Sequence, residues 1–229
     1  IESILSQKGE FDIGLVIVSD ASTDRSLKLL RDLMTKSKIA HCIVDNEVRK
    51  YASRNYYNVA HFLTNNNESI IIEVDGDDYL NGENVLSVLS RFYKNGVVKT
   101  SGSYQINSNN IKSKTLENVS LNLSSPWNIH ECNAWMPLRS VKRGTLILVE
   151  LDYYQERLTK KWLSERHDYS IHARIIELAK EKCIFVPDVL YCYDISGDDH
   201  DQNYLEENKD LAILNSYNIY HKMYHPMIL

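Results

Sequence analysis

Residues 69–80 read SIIIEVDGDDYL, an apolar and β-branched run that closes on Asp75, Gly76, Asp77 and Asp78. Four to six such residues bounded by Asp and Gly predict a buried strand, and near-continuous apolarity is the pattern of a strand covered on both faces in a parallel sheet. Three carboxylates within four residues repel one another. One reading is turn chemistry, because Asp and Gly commonly carry the chain out of a strand. The other is a ligand site, because open α/β sheets bind ligands at the carboxyl ends of their strands. Carboxylates at i and i+2 can turn toward one point, and an all-oxygen donor set suits Mg²⁺ or Mn²⁺ with positions left for phosphate oxygens. An EF-hand is excluded, because its later ligand and glycine positions fall on Tyr79 and Leu80.

Upstream, FDIGLVIVSD (residues 11–20) predicts a first strand, and RSLKLLRDLMTK (residues 25–36) a helix with Leu27, Leu30 and Met34 on one face. AHCIVD (residues 40–45) predicts a second strand, followed by a helix carrying Val59, Ala60, Phe62 and Leu63. The acidic run therefore ends a third strand, which argues against a phosphatase of the haloacid dehalogenase type, where DxD closes the first. Alternating strands and helices read as βαβ units of an α/β fold. Asp24 suits a helix cap, whereas Asp20 lies at the strand tip, within reach of a base or ribose. Neither GxGxxG nor GxxxxGK[ST] is present, so phosphates need a cation and side chains, with Arg49, Lys50 and Arg54 as candidates.

Downstream, Asn81 is the expected cap, and Gly96 the stop, of a helix in GENVLSVLSRFYKNG (residues 82–96). Residues 101–125, rich in Ser, Asn and Lys, predict weak edge strands and loops. SIHARIIELAKEK (residues 170–182) predicts a helix, CIFVPDVLYCYD (residues 183–194) a strand, and the end of the chain a closing helix. The net charge of −5 over 229 residues argues against a nucleic-acid-coating surface. Four scattered cysteines without CxxC imply neither zinc ribbon nor disulfide framework. No apolar run reaches the roughly 20 residues of a membrane span, and no signal peptide opens the chain, so a soluble, cytoplasmic protein is expected.

Three segments, ESILSQKGEFDIGLVIVSDASTDRS, RKYASRN and IIIEVDGDDYL, together resemble the GT-A-fold glycosyltransferases of family 2. That family pairs an apolar strand and [DS]-D-x-S-x-D with a later [AS]-R-N and an apolar strand closed by D-x-D-D. AWMPLRSVKRGTL, ERHDYSIHARI and IFVPDVLYCYDI are similar to its acceptor half, which carries an ED pair, a helix and a strand before Y-x-Y. The resemblance implies a GT-A, Rossmann-like mixed sheet flanked by helices, with a donor half over residues 1–100 and an acceptor half over 101–229. It implies a metal-dependent inverting transferase, using Mn²⁺ or Mg²⁺ and a nucleotide-diphosphate sugar, a UDP-sugar first, with an unidentified acceptor. Asp20 would contact the base, Arg54 the diphosphate, and Asp75 and Asp77 the sugar nucleotide and metal. His200 would be a further metal ligand, and Asp168, in the position of the second acid of the ED pair, the catalytic base. An N-terminal helix cap is the competing role for Asp168.

Ser19 and Ala21 replace the family's common Asp and Gly, and His167 replaces the Glu of the ED pair. The family's opening strand, ending P-x-[YF]-N, has no counterpart, so either residues are missing upstream or the chain is a fragment of a larger polypeptide. QxxRW is missing, which favours single transfer over processive synthesis. An inactive GT-A-like binding or assembly module and a sugar-phosphate nucleotidylyltransferase remain as alternatives.

Overall fold

The computed structural model describes residues 1–107 and 136–194. After a short helix α1 (Glu2–Leu5), strand β1 (Gly14–Asp20), helix α2 (Ser26–Met34) and strand β2 (Ala40–Asn46) form the expected βαβ unit. The two strands run parallel in register from Gly14↔Ala40 to Asp20↔Asn46, which the long crossover through α2 permits. Helix α3 (Tyr51–Asn58) follows and widens into a π-helical turn over Val59–Leu63. Tyr51 has φ +67°, costly for a residue with a side chain, and it is held there from outside, because Asp20 accepts its backbone N–H.

Strand β3 (Ile70–Glu73), β4 (Tyr79–Leu80), helix α4 (Val85–Lys94), β5 (Lys99–Asn107), β6 (Arg139–Lys142), α5 (Arg143–Leu146), α6 (His167–Ala179) and β7 (Cys183–Asp194) complete the described chain. Five strands form one mixed sheet in the order β3-β6-β5-β7-β4. The β5–β7 pair is parallel and the other three pairs are antiparallel. The ladder slips around Gly102 and Ser103, where β7 carries Pro187, a residue that cannot donate to it.

The architecture is mixed α/β, as expected, but four local expectations are corrected. The βαβ reading implies that the first and third strands share one sheet, but β1 pairs with β2, β3 pairs with β6, and no described strand bridges them. β3 is antiparallel to its neighbour and only half-buried, Ile71 packing on one apolar cluster and Ile72 on the other, so its apolar run does not reflect a parallel setting. β5 is central, not a weak edge, although it reads KTSGSYQIN. Its small residues permit close approach, and a Cβ on Gly102 would sit 3.4 Å from the Leu138 nitrogen. Asn84, not Asn81, holds the cap position of α4, while Asn81 bonds the Val189 carbonyl on β7. Gly96, at φ +85°, ends that helix as expected.

Two apolar clusters hold the elements together, and both draw on residues before and after position 100. Ala60, Val141, Leu146, Tyr154, Ile171 and Ile175 join the π turn, β6, α5 and α6. Leu80, Val85, Leu89, Leu138, Val186 and Leu190 seat α4 on β4 and β7. Ile171 and Ile175 are fully buried, each contributing about 1.5–3 kcal/mol relative to exposure. The first cluster therefore anchors α6 against β6, which fixes where the first turn of α6 presents its polar residues. Among the described residues no helix is long and apolar enough to cross a membrane.

Candidate active site

The acidic turn is pinned from below. Asp78 is buried and accepts the Tyr191 hydroxyl at 2.7 Å and the Asp194 N–H at 2.8 Å, while Tyr191 Oη accepts the Asp75 N–H at 3.1 Å. Burial, reinforced by Asp75 and Asp77, outweighs those bonds and pushes the Asp78 carboxyl up to about 6. One of the three clustered acids is thus turn chemistry.

Asp75 is engaged differently. Arg139, the first residue of β6 and the register partner of Glu73, is 4% exposed. A buried guanidinium demands anions, and Arg139 meets three. Its Nη2 lies 3.2 Å from Glu73 Oε1 and 3.3 Å from Asp75 Oδ2, and its Nη1 lies 3.4 Å from Asp168 Oδ2. One guanidinium thereby joins the acid cluster of β3 to the first turn of α6. Burial depresses the Arg139 pKa, but the carboxylates of Glu73, Asp75 and Asp168 outweigh it and raise the value overall. Burial likewise raises Glu73, yet Arg139, the nearby His167 ring and the hydrogen bond from His172 hold it well below the usual carboxylate range.

The two histidines differ. Burial, with Lys99 nearby, holds His172 down at about 3, so the ring is neutral. Its Nε2 stands 3.3 Å from Glu73 Oε2, and among the described residues its buried Nδ1 has no hydrogen-bond partner, which assigns the proton to Nε2. His167 Nε2 is 3.8 Å from Glu73 Oε1, and there the nearby carboxylates of Glu73 and Asp168 outweigh burial and raise the pKa.

Asp77 remains exposed, and among the described residues it makes no hydrogen bond or ion pair. Asp75 keeps a half-exposed side chain beside it. Those two carboxylates suit a divalent cation that takes its other ligands from diphosphate and water, the habit of Mg²⁺. Among the described residues no group of three or more His, Cys, Asp or Glu is placed to hold a metal. His200 lies outside the described residues. Asp168 does not occupy the helix cap position, which is Arg166 at φ +58°. It sits in the first turn, its Oδ1 accepting the Tyr169 N–H at 2.8 Å and its side chain 30% exposed.

On the donor side, Asp20 accepts N–H groups from Lys50, Tyr51 and the Asn46 side chain, each at 2.9 Å. Burial raises its pKa, but these bonds and one linked to Asn55 lower it overall. Asp24 accepts the Ser26 N–H at 2.9 Å, but the cap position of α2 is Arg25, so Asp24 stands one residue outside the expected cap. The Arg54 guanidinium lies 5.7 Å from the Trp162 ring centroid, on α3. Glu73, Arg139 and His172 are absent from the residues that motif reading singles out. For Glu73 and Arg139 the signal was a single charge in each of two largely apolar runs, IIIEV and MPLRSV, since a charge that becomes buried must find a partner; His172 had no such signal.

The sequence profile of Glycosyl transferase family 2 matches residues 1–177. Comparison with curated proteins finds no match. Among solved structures, S. aureus TarS 1-349 in complex with UDP-GlcNAc is similar at TM-score 0.64 and 15% identity, over 93% of this chain and 60% of that one. The UDP complex of TarS 1-349 gives 0.61 and 14%, with 93% and 60% covered. Another TarS 1-349 structure gives 0.61 and 15%, with 99% and 68% covered. This chain thus spans 60% of the length of the first two, and at such identity the likeness concerns the fold.

Proposed function

The chain belongs to glycosyltransferase family 2, and from that premise we propose that it transfers a sugar from a nucleotide-diphosphate donor to an acceptor hydroxyl with inversion. Residues 1–100 would form the donor half and 101–229 the acceptor half. The observation that carries the reading is the Arg139 bridge, through which Asp168 and Asp75, far apart in sequence, face one guanidinium. A UDP-sugar is the leading donor, because two of the TarS structures of similar fold hold UDP or UDP-GlcNAc.

Asp168 is the base. It removes the proton from the acceptor hydroxyl as the oxygen attacks the anomeric carbon, and the bond from that carbon to the diphosphate oxygen breaks on the opposite face. Asp77 and the outer oxygen of Asp75 would hold a divalent cation, Mn²⁺ or Mg²⁺, which when bound supplies charge neutralisation at the departing diphosphate. Arg54, on α3, would contact the diphosphate, and Asp20, which orders the start of that helix, would contact the nucleotide base. Family membership weighs against a nucleotidylyltransferase. A screen of UDP-, GDP- and TDP-sugars, scored by release of the nucleoside diphosphate with and without Mn²⁺, tests the proposal. Nucleotide binding without turnover of any donor would favour a binding module instead.

A further inference from the structure

We propose that Glu73 and Arg139 are positioning residues for transfer: Glu73 anchors the guanidinium, and Arg139 holds the Asp168 carboxylate at a set distance from Asp75 and Asp77. The proposal rests on Asp168 being the base. Of the three carboxylates that Arg139 meets, Glu73 is the most enclosed, with 14% of its side chain exposed against 47% for Asp75 and 30% for Asp168. Glu73 is therefore the root of the assembly, and the other two acids are its working face.

The bonding geometry makes the root rigid. Glu73 is held at both oxygens, Oε1 by Arg139 and Oε2 by His172 at 3.3 Å. Arg139 divides its fork, giving Nη2 to Glu73 and Asp75 and Nη1 to Asp168. A planar guanidinium fixes the spacing of the groups on its two arms, which a lysine ammonium, a single point charge, does not. Asp168 has one other described bond, to the amide beside it, so Arg139 is what ties this carboxylate to the opposite wall. The residue preceding Asp168 fits the same design. His167 stands where the resemblance expects a carboxylate, and a carboxylate stands instead on β3, with 3.8 Å between His167 Nε2 and Glu73 Oε1. An acid at position 167 would therefore enter the cluster that Glu73 now occupies.

Displacement of a catalytic group by about 1 Å costs about a hundredfold in rate, so loss of the anchor is expected to act on turnover and not on donor binding. The test measures release of UDP from UDP-GlcNAc, or of nucleoside diphosphate from another donor that the wild-type chain accepts, together with UDP affinity in Mn²⁺ by calorimetry. Glu73→Gln and Arg139→Lys should each lower kcat by about tenfold to a hundredfold, leaving donor KM and UDP affinity within about twofold. In an Asp168→Asn background the same changes should add less than about twofold, because no base remains to be placed. Glu73→Leu with His167→Glu should recover most of the kcat that Glu73→Leu alone loses, and this pair remains informative if a single variant folds poorly. Losses that simply add to that of Asp168→Asn, or that fall equally on UDP affinity, overturn the positioning role and leave the transferase reading standing. A wild-type chain that turns over no donor defeats both.

Discussion

Replacing Arg139 by Met keeps most of the unbranched stem of the side chain and removes the guanidinium that faces Glu73, Asp75 and Asp168 together. The consequence falls mainly on Glu73, because the other two carboxylates are more exposed and relax toward water. Breaking a buried pair by removing one partner costs about 3–5 kcal/mol, and an exposed pair is worth about 1 kcal/mol or less. A chain of this size loses about 2–4 °C in Tm per kcal/mol, so a fall of roughly 6–20 °C at pH 7 is expected. Urea unfolding followed by circular dichroism at pH 7 and again near pH 4 is the assay. The sign of the pH effect follows from the depressed carboxyl of Glu73: its contribution is present above the unfolded value of 4.5 and is lost as pH falls through the folded one. Without Arg139 the carboxyl is no longer held down to the same extent and protonates on acidification, so the penalty should shrink toward pH 4. Adding Glu73→Gln, which removes the stranded charge, should recover part of the loss at pH 7. A single variant that loses less than about 1 kcal/mol at both pH values would refute the buried-anion argument.

Asp168→Asn should slow transfer by about a hundredfold to ten-thousandfold while UDP affinity holds, since Asn still accepts the Tyr169 N–H but takes no proton. Near-normal transfer would move the base to Glu165 or His167. Asp77→Ala should abolish Mn²⁺-dependent UDP binding with little change in Tm, as it makes no described hydrogen bond or ion pair. Asp78→Ala should instead cost about 1–3 kcal/mol by stranding the Tyr191 hydroxyl and the Asp194 N–H, and equal effects of the two on stability would contradict the division of labour within the cluster. Asp20, whose carboxyl is lowered on folding, contributes stability above pH 3.8 that is lost as pH falls through its folded value. Asp20→Asn should therefore flatten the acid limb of a plot of urea midpoint against pH, and an unchanged limb would exclude it as a contributor.

Local chemistry sufficed for the elements. The apolar runs at LVIVSD and IIIEV, the helical spacing of Leu27, Leu30 and Met34, and the glycine stop at Gly96 all act over one or two turns of chain, and each element formed where its residues require. The same local logic marked Asp75 and Asp77 as candidate site residues, while Asp168 came from the family resemblance. Which strands share a sheet was decided only in three dimensions, where β1 joined β2 and β3 joined β6. KTSGSYQIN looked like an edge from its composition and became a central strand, because small side chains there let Leu138 approach the backbone. The partner of a buried charge has no local signature at all. Glu73 meets Arg139 because an antiparallel register sets the last residue of one strand opposite the first residue of another, and Asp168 joins them because Ile171 and Ile175 bury α6 against the core at that level. Burial of those apolar side chains, summed over the fold, is what brings three carboxylates and one guanidinium within reach of each other, and no stretch of the chain read by itself contains that sum.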